Sequence, residues 1–190
     1  MNIEIWRWIK IESIKKNLSN ERLLLREFTE SDWIGVHKYA SKEKVCQYQD
    51  WGPNSEEESQ AFVKQVLVDA AKKPRTRYMF AIVLKKEEKM IGAGEINIRD
   101  FNHKNGEIGY IINPDYWGRG IATDVAKLLI EFGFSTFNLH RIFAYCDPRN
   151  IGSKKVIEKV GMTMEGRLRE NLLIKDGWRD SLLYSVLEHK

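Results

Sequence analysis

Residues 107–123 read Glu-Ile-Gly-Tyr-Ile-Ile-Asn-Pro-Asp-Tyr-Trp-Gly-Arg-Gly-Ile-Ala-Thr. This pattern predicts a strand, a tight turn around Gly118 and Gly120, and the first turn of a helix. A helix that opens from such a turn presents backbone N–H groups that have no intrahelical partner. Those donors, together with the positive end of the helix dipole, favour a phosphate or pyrophosphate group. The segment therefore predicts a site for a phosphorylated ligand.

The regions on both sides of this segment predict a mixture of strands and helices. Apolar runs and alternation predict strands at residues 21–28, 78–84, 89–98, 106–113, 141–146, 164–174 and 178–187. Helical spacing and capping patterns predict helices at residues 29–40, 55–71, 120–137 and 150–160. The dipeptide Asp176-Gly177 predicts the turn of a closing hairpin. This order predicts an α+β (α/β three-layer) domain around one mixed sheet.

Length and composition indicate one globular domain, since the chain has 190 residues of which 31% are charged and 43% hydrophobic. We divide it into residues 1–18, an apolar extension that packs on the body or on a partner subunit, and a single domain at residues 19–190. No apolar run is long enough to span a bilayer, and the N-terminus lacks a signal-peptide pattern. We therefore expect a cytoplasmic protein that has no membrane partner.

Charge and cysteine content argue against two other classes of protein. The net charge is +4 and the basic residues are scattered, so direct nucleic-acid binding is not expected. Cys46 and Cys146 lie far apart in sequence and have no nearby histidines, which is not a metal-binding pattern. We expect two free thiols and no metal ion.

The glycine turn also matches the start of a dinucleotide-binding fingerprint. Gly118, Gly120 and the downstream Asp147 have roughly the spacing that a bound dinucleotide requires. A partial fingerprint is weak evidence on its own. Because three predicted strands precede the turn and only one βα unit follows it before a hairpin, the surroundings argue against this alternative.

Residues 107–123 resemble motif A of the GNAT superfamily of N-acetyltransferases, which bind acetyl-coenzyme A (acetyl-CoA). Four further stretches are similar to parts of this family: ERLLLR at 21–26, Ile91-Gly92, the segment from Asn150 to Met162, and the Rim-type ending at 166–180. Rim-type members acetylate the N-termini of ribosomal proteins. The resemblance covers residues 21–187 and implies a GNAT-type mixed, mostly antiparallel twisted sheet flanked by helices.

The resemblance implies a set of contacts to acetyl-CoA. The backbone of the glycine turn would hold the pyrophosphate, and a gap between two splayed strands would hold the pantetheine arm. The residues implied are Ile111, Ile112, Asn113, Trp117, Gly118, Arg119, Gly120, Ile121, Ala122, Thr123 and Asn150. Asn150 is also a suitable N-cap for its helix, so it has two possible roles.

Two positions depart from the family pattern. Trp117 occupies a position that is often Gln or Arg in the superfamily, although the Trp-Gly-x-Gly form is similar to the Rim-type branch. Many relatives carry a tyrosine seven residues after the asparagine as the general acid, and that position here is Ile157. An alkyl side chain cannot donate a proton, which leaves Ser153 as the candidate acid on this helix.

Acetyl transfer to an amine needs a base for the amine proton and a donor for the leaving thiolate. Glu107, at the start of the strand that carries the coenzyme, is the candidate base by resemblance, and a structural glutamate is the alternative. Glu95, on the preceding strand, is a second acidic candidate on the acceptor side. Trp51, in the loop that precedes the helix at residue 55, could form a wall of the acceptor pocket or belong to the core.

We therefore predict an acetyl-CoA-dependent N-acetyltransferase that acts on a primary amine. The Rim-type resemblance favours the N-terminal α-amine of a protein, with a ribosomal protein as the model acceptor. Two alternatives stay open at this point: a small amine, polyamine or aminoglycoside acceptor, and a CoA-binding module without catalytic activity. A homodimer is a further expectation, because residues 1–18 are apolar.

Overall fold

The computed structural model of the chain describes residues 18–175 and 177–188. Eight strands occur in this part of the chain: β1 Leu18–Ser19, β2 Leu23–Glu27, β3 Arg77–Leu84, β4 Lys89–Asp100, β5 Asn105–Ile112, β6 Arg141–Cys146, β7 Thr163–Ile174 and β8 Gly177–Leu187. Five α-helices accompany them: α1 Trp33–Ala40, α2 Glu43–Cys46, α3 Glu56–Ala71, α4 Ile121–Phe137 and α5 Ile151–Lys159.

All eight strands form one sheet in the order β1-β2-β3-β4-β5-β6-β8-β7. Among the described strands, β5 and β6 are the one parallel pair, and every other neighbouring pair is antiparallel. The parallel ladder is short, since it joins Asn105 to Arg141, Gly106 to Ile142 and Glu107 to Phe143. The sheet is therefore two antiparallel halves that meet at a three-residue seam.

The two faces of the sheet are covered by different helices and carry different cores. Helices α4 and α5 pack over one face, on a cluster that includes Ile96, Val125, Leu129 and Ile142. Helices α1 and α3 pack over β3 and β4 on the opposite face, on a smaller cluster. We call these the α4 face and the α1 face. The architecture confirms the predicted α+β fold with a mixed, mostly antiparallel sheet.

Most element boundaries agree with the sequence prediction to within about two residues, while two short elements were not predicted. The strand β1 has two residues, and helix α2 has four, both too short for a periodic pattern. Leu18, which we had placed in the extension, pairs with Leu25 of β2. The remaining residues of the predicted extension, 1–17, and Asp176 of the predicted hairpin turn lie outside the described residues.

Within residues 18–175 and 177–188, no helix is long and apolar enough to cross a membrane. The same residues hold no group of three or more His, Cys, Asp or Glu side chains arranged to bind a metal ion. Cys46 and Cys146 are both buried free thiols, as the sequence predicted.

Candidate active site

A gap opens in the sheet directly after the pair Glu107–Phe143, where the ladder between β5 and β6 ends. The amide of Asn113 donates to the carbonyl of Ile91 on β4, at 2.8 Å, so this residue faces β4. Because the backbone groups of successive strand residues point to opposite sides, those of Tyr110 and Ile112 face the gap. An extended arm in the gap can therefore pair with β5 as an added strand would.

Residues 111–113, the last two positions of β5 and the residue that follows it, were predicted to contact the coenzyme, and the backbone of one of them faces the gap. Ile112 faces it, and its carbonyl accepts a hydrogen bond from Nε1 of Trp117 at 2.7 Å. Ile111 packs its side chain on the α1 face. The buried side chain of Asn113 accepts hydrogen bonds from Lys42 Nζ at 3.0 Å and from the amide of Asp115 at 3.2 Å. Asn113 therefore shapes the start of the glycine turn.

The glycine turn forms a cradle of free amides, which we define as residues 118–123. Gly118 and Gly120 have φ angles of 74° and 73°, in the left-handed region that residues with a Cβ rarely adopt. The first intrahelical bond of α4 runs from the amide of Asp124 to the carbonyl of Gly120. Within residues 18–175 and 177–188, no acceptor takes a hydrogen bond from the amides of the cradle. These donors lie at the helix N-terminus and fit a pyrophosphate.

Side chains from distant parts of the chain hold the cradle in place. Arg22, just before β2, donates to the carbonyl of Arg119 at 3.0 Å and forms an ion pair with Asp124 in the first turn of α4. Arg119 itself folds back, because it donates to the carbonyl of Asp115 at 3.0 Å and stacks on Tyr116. The cradle is thus fixed before any ligand binds, which lowers the entropy cost of binding.

The segment between α1 and α3 packs against the same turn. Lys42 forms an ion pair with Asp115 at 2.9 Å in addition to its bond to Asn113. The Nζ atom of Lys44 lies 5.1 Å from the centre of the Trp117 ring, a cation–π contact. This segment includes Trp51, which is half-buried and packs on the core of the α1 face, so Trp51 has a core role whether or not it also lines a pocket.

The N-terminus of α5 lies on the other side of the gap. Oδ1 of Asn150 accepts a hydrogen bond from the amide of Ser153 at 3.0 Å, which confirms the N-cap role of Asn150. The hydroxyl of Ser153 is 3.5 Å from the hydroxyl of Tyr110. Ile157, at the position where a catalytic tyrosine was considered, is 2% exposed and belongs to the core. Helix α5 therefore turns Ser153 toward β5, and Ile157 away from solvent.

The two acidic candidates both lie on the α1 face, opposite Ser153. Glu107 accepts from Nε of Arg99 at 2.8 Å, at the closed end of the gap. Glu95 accepts from Nε of Arg77 at 2.8 Å, and its Oε1 lies over Gly109, 3.4 Å from where a Cβ would be. The sheet thus separates these two carboxylates on one face from the hydroxyls of Tyr110 and Ser153 on the other. An acyl group in the gap would be reached from both faces.

The α1 face has an open patch beside the gap, made by strand residues that α1 and α3 do not cover. Gly109 leaves space on β5, and Tyr145 on β6 stands across the gap from it, with its side chain 39% exposed. The ring of Tyr145 packs edge-on against Phe143 at 5.6 Å. We call Glu95, Glu107, Gly109, Phe143 and Tyr145 the acceptor patch.

Asp147, the acidic residue of the dinucleotide alternative, is buried, and its carboxylate is bound by two arginines. Its carboxylate accepts from Nε of Arg149 at 3.0 Å, and lies 3.5 Å from the guanidinium of Arg179. Burial alone would raise the pKa of Asp147, but the hydrogen bonds from Arg149 and the charge of Arg179 outweigh it and lower that pKa. A carboxylate held in this way does not bind a ribose, and the antiparallel sheet is not a dinucleotide fold.

Several residues of this site were not predicted from the sequence. Arg22, Lys42, Tyr110 and Tyr145 contact it from separate elements, and Arg22 and Arg119 lie 97 positions apart in the chain. Tyr110 and Tyr145 each stand in a strand that the sequence did predict. Alternation along those strands could have assigned them to opposite faces, but not to the edges of a gap.

A family model described as the acetyltransferase (GNAT) domain matches residues 22–163. The chain is 36% identical over 174 residues to an uncharacterized N-acetyltransferase of Bacillus subtilis, YnaD, and the match covers 92% of this chain and 98% of YnaD. It is 28% identical over 169 residues to the spermidine N(1)-acetyltransferase of Escherichia coli, covering 87% of this chain and 86% of that protein.

The solved structures include a relative that is named for a protein acceptor. The ribosomal-protein-S5-alanine acetyltransferase of Vibrio fischeri superposes with a TM-score of 0.75 at 28% identity. The match covers 89% of this chain and 94% of that structure. The similar proteins therefore include one named for a polyamine and one named for an alanine of a ribosomal protein.

Proposed function

The chain belongs to the GNAT family of acetyltransferases, and on that premise we propose that it transfers acetyl from acetyl-CoA to the N-terminal α-amine of a protein. That it is an acetyl-CoA-dependent N-acetyltransferase follows from the family. The acceptor and the roles of individual residues are our proposal.

The free amides of the cradle support the placement of the coenzyme. Residues 118–123 would bind the pyrophosphate, and the gap-facing backbone of Tyr110 and Ile112 would pair with the pantetheine arm. The side chain of Asn150 uses its oxygen on the amide of Ser153, which leaves its NH₂ group free to donate to the arm. The thioester would then lie between Ser153 and the acceptor patch.

Glu107 would act as the general base for the amine, directly or through one water. An α-amine of pKa 7.7–8.0 is neutral in roughly one molecule in ten at pH 7, whereas a lysine amine is neutral in about one in 2,500. An N-terminal acceptor therefore needs less help from a base than a lysine acceptor does. As the amine nitrogen bonds to the carbonyl carbon and the C–S bond breaks, Ser153 would donate a hydrogen bond to the sulfur.

Our choice of acceptor rests on the ion pairs that the acidic side chains of the site already form. A polyamine site needs carboxylates whose charge is available to several ammonium groups. Here Glu95 is paired with Arg77, Glu107 with Arg99, and Asp147 with Arg149 and Arg179. The acceptor patch has a carboxylate for one amine but no excess of negative charge. A peptide N-terminus, with one amine and a neutral backbone, suits this balance.

A competition assay tests the acceptor. The purified protein would be given acetyl-CoA with an equimolar mixture of spermidine, an aminoglycoside and short peptides that start with alanine or serine, and products would be read by mass spectrometry. Peptides whose α-amine is blocked but which keep a lysine serve as matched controls. We expect acetyl on the free α-amine and not on the controls. Preferred turnover of spermidine or of the blocked peptides would overturn the proposal.

A further inference from the structure

The hydroxyl of Tyr110 is a polar group at the gap to which the reaction above assigns no role. Tyr110 lies on β5 between Gly109 and Ile111, and its side chain packs on the α4 face. Its hydroxyl is 3.5 Å from Oγ of Ser153, the residue that faces the leaving sulfur in the proposed function. Tyr110 and Ser153 therefore form a pair of hydroxyls that joins β5 to α5 across the gap.

The pair matters because helix α5 carries no phenol of its own at the reacting end. Ile157 is in the core, so Ser153 is the donor that α5 supplies. A lone serine hydroxyl can rotate, and nothing fixes its proton toward the sulfur. A second hydroxyl that donates to the serine oxygen removes this freedom, since the serine proton must then point elsewhere.

We propose that Tyr110 is a positioning residue that orients the Ser153 hydroxyl toward the sulfur of acetyl-CoA. The chain of hydrogen bonds runs from the Tyr110 O–H to the Ser153 oxygen, and from the Ser153 O–H to the sulfur. This inference rests on the proposed function, because it requires Ser153 to face the acyl donor. The 3.5 Å separation is longer than the ~2.8 Å of a formed O–H···O bond. We expect it to shorten when the donor binds, as catalytic hydrogen bonds commonly do.

The protons balance without a charge on Tyr110. The N–C bond forms, the C–S bond breaks, and the electron pair of the broken bond stays on sulfur. The amine loses one proton to Glu107 and the sulfur gains one through solvent at the gap, so no net proton leaves the hydroxyl pair. Burial raises the pKa of Tyr110 to about 12, and the contact with Ser153 opposes this rise only in part. Tyr110 therefore keeps its proton and acts as a donor throughout.

A double-mutant cycle with Tyr110→Phe, Ser153→Ala and the combined variant tests the proposal. The assay would use whichever amine turns over best in the acceptor competition, so that a wrong acceptor does not affect it. We expect Tyr110→Phe to lower kcat about tenfold with the KM for acetyl-CoA unchanged, a coupling typical of residues in one hydrogen-bond network. In the Ser153→Ala background the same change should have no further effect. Equal effects in both backgrounds, or no effect in either, would overturn the proposal.

Tyr184→Phe is the matched control. Tyr184 also stands on a strand and reaches α5 with its hydroxyl, which lies 3.4 Å from Glu158 and away from the gap. We expect its kcat to stay within about twofold of the wild type, since the change removes only a hydroxyl contact to the same helix and keeps the packing of the ring.

A second readout needs no acceptor. The thiol of bound CoA would be titrated by its ultraviolet thiolate absorbance in the wild type and in both single variants, after subtraction of the free protein. The hydrogen-bond chain stabilises the thiolate, so we expect the bound thiol to ionise at lower pH in the wild type than in Tyr110→Phe or Ser153→Ala. Identical titrations in all three proteins would contradict the inference, even if acetyl transfer to a peptide is demonstrated.

Discussion

At the scale of single residues, Glu107 and Glu95 are the two carboxylates of the acceptor patch. Glu107 marks the last pair of the β5–β6 ladder, and Glu95 leans over Gly109 on the same face. Each carboxylate forms an ion pair with an arginine: Glu107 with Arg99 of β4, and Glu95 with Arg77 of β3. Since both carboxylates are fixed in this way, their roles can be separated by changing each one to its amide.

Glu107→Gln should lower kcat about 100-fold, because general-base assistance typically contributes that much or more. Steady-state kinetics with the best acceptor would measure it, and calorimetric titration with CoA should give an unchanged affinity. Glu95→Gln is the companion variant, and we expect it to raise the acceptor KM more than it lowers kcat. If the large fall in kcat occurs in Glu95→Gln instead, the two roles are exchanged and the assignment of Glu107 is wrong.

Gly120→Ala tests the cradle. Gly120 has a φ of 73°, and a Cβ in the left-handed region costs about 1–2 kcal/mol. The cradle relieves this strain by changing its backbone, so its amides no longer converge. We expect the Kd for CoA to rise about tenfold, equivalent to ~1.4 kcal/mol, measured by calorimetry.

Gly166→Ala on β7 is the control for this change. Gly166 is not among the glycines of positive φ in the described residues, and a Cβ there would meet no atom within 4 Å. Its affinity for CoA should match the wild type. Equal losses in both variants would mean that the left-handed backbone of the cradle is not what binds the coenzyme.

At the scale of elements, the start of α3 shows what local sequence can predict. Ser55 and Glu58 form the predicted capping box, since Oγ of Ser55 accepts from the amide of Glu58 at 3.2 Å and Glu58 accepts from the amide of Ser55 at 2.8 Å. Ser55→Ala should lower the free energy of unfolding by about 1 kcal/mol. Urea denaturation would measure this loss, and Ser55→Thr should recover most of it. A free energy of unfolding equal to that of the wild type in Ser55→Ala would show that α3 is held by packing alone.

The helices, the strands and the capping box of α3 were predictable because the residues that signal each of them lie within a few positions of one another. Strand alternation, the Ser55–Glu58 spacing and the left-handed glycines all act over at most one helical turn. The seams between elements are different, since Lys42 and Asn113 lie 71 positions apart and meet only in the folded chain. Hence the cradle was predicted as a loop, while the side chains that hold it were not.

The same limit explains Trp117 and Asn113. Both were predicted to contact the coenzyme, because they flank the glycine turn. In the structure the indole of Trp117 donates to the carbonyl of Ile112, and the side chain of Asn113 accepts a hydrogen bond from Lys42. These contacts build the turn, and a direct contact with the coenzyme stays a prediction for both residues. Neighbourhood in sequence indicates the region of a site but not which atoms a side chain satisfies.

At the scale of the whole molecule, the two halves of the sheet are joined by the short β5–β6 seam and by a cluster at the mouth of the gap. Arg179 of β8 donates to the carbonyl of Tyr48 at 2.8 Å, and it lies beside the buried Asp147. Asp147 follows β6, whereas Tyr48 lies between α2 and α3, so this cluster connects opposite sides of the gap. It should hold the halves apart at a fixed width as well as stabilise the fold.

Acid should weaken this connection. The pKa of Asp147 is lowered in the folded protein by Arg149 and Arg179 despite its burial. A carboxylate of lowered pKa binds fewer protons in the folded state than in the unfolded state, so it stabilises the fold above its unfolded pKa of about 3.9. That contribution is lost as the pH falls through the folded pKa. Asp32, paired with Arg26, behaves in the same way. We expect the free energy of unfolding to fall steeply below about pH 4.

Asp147→Asn separates the cluster from the rest of this acid response. The change leaves the guanidinium of Arg179, whose side chain is 13% exposed, without this counter-charge, so it should cost about 3 kcal/mol at pH 7. The difference from the wild type should narrow as the pH falls below about 4, because the carboxylate takes up a proton first in the unfolded wild type and then, below its lowered folded pKa, in the folded protein. Urea denaturation at several pH values would measure both effects, with the exposed Asp50→Asn as the control. If the difference in the free energy of unfolding stays constant from pH 7 to pH 3, Asp147 acts through its shape rather than its charge. The cluster at the mouth of the gap would then not be held together by electrostatic attraction.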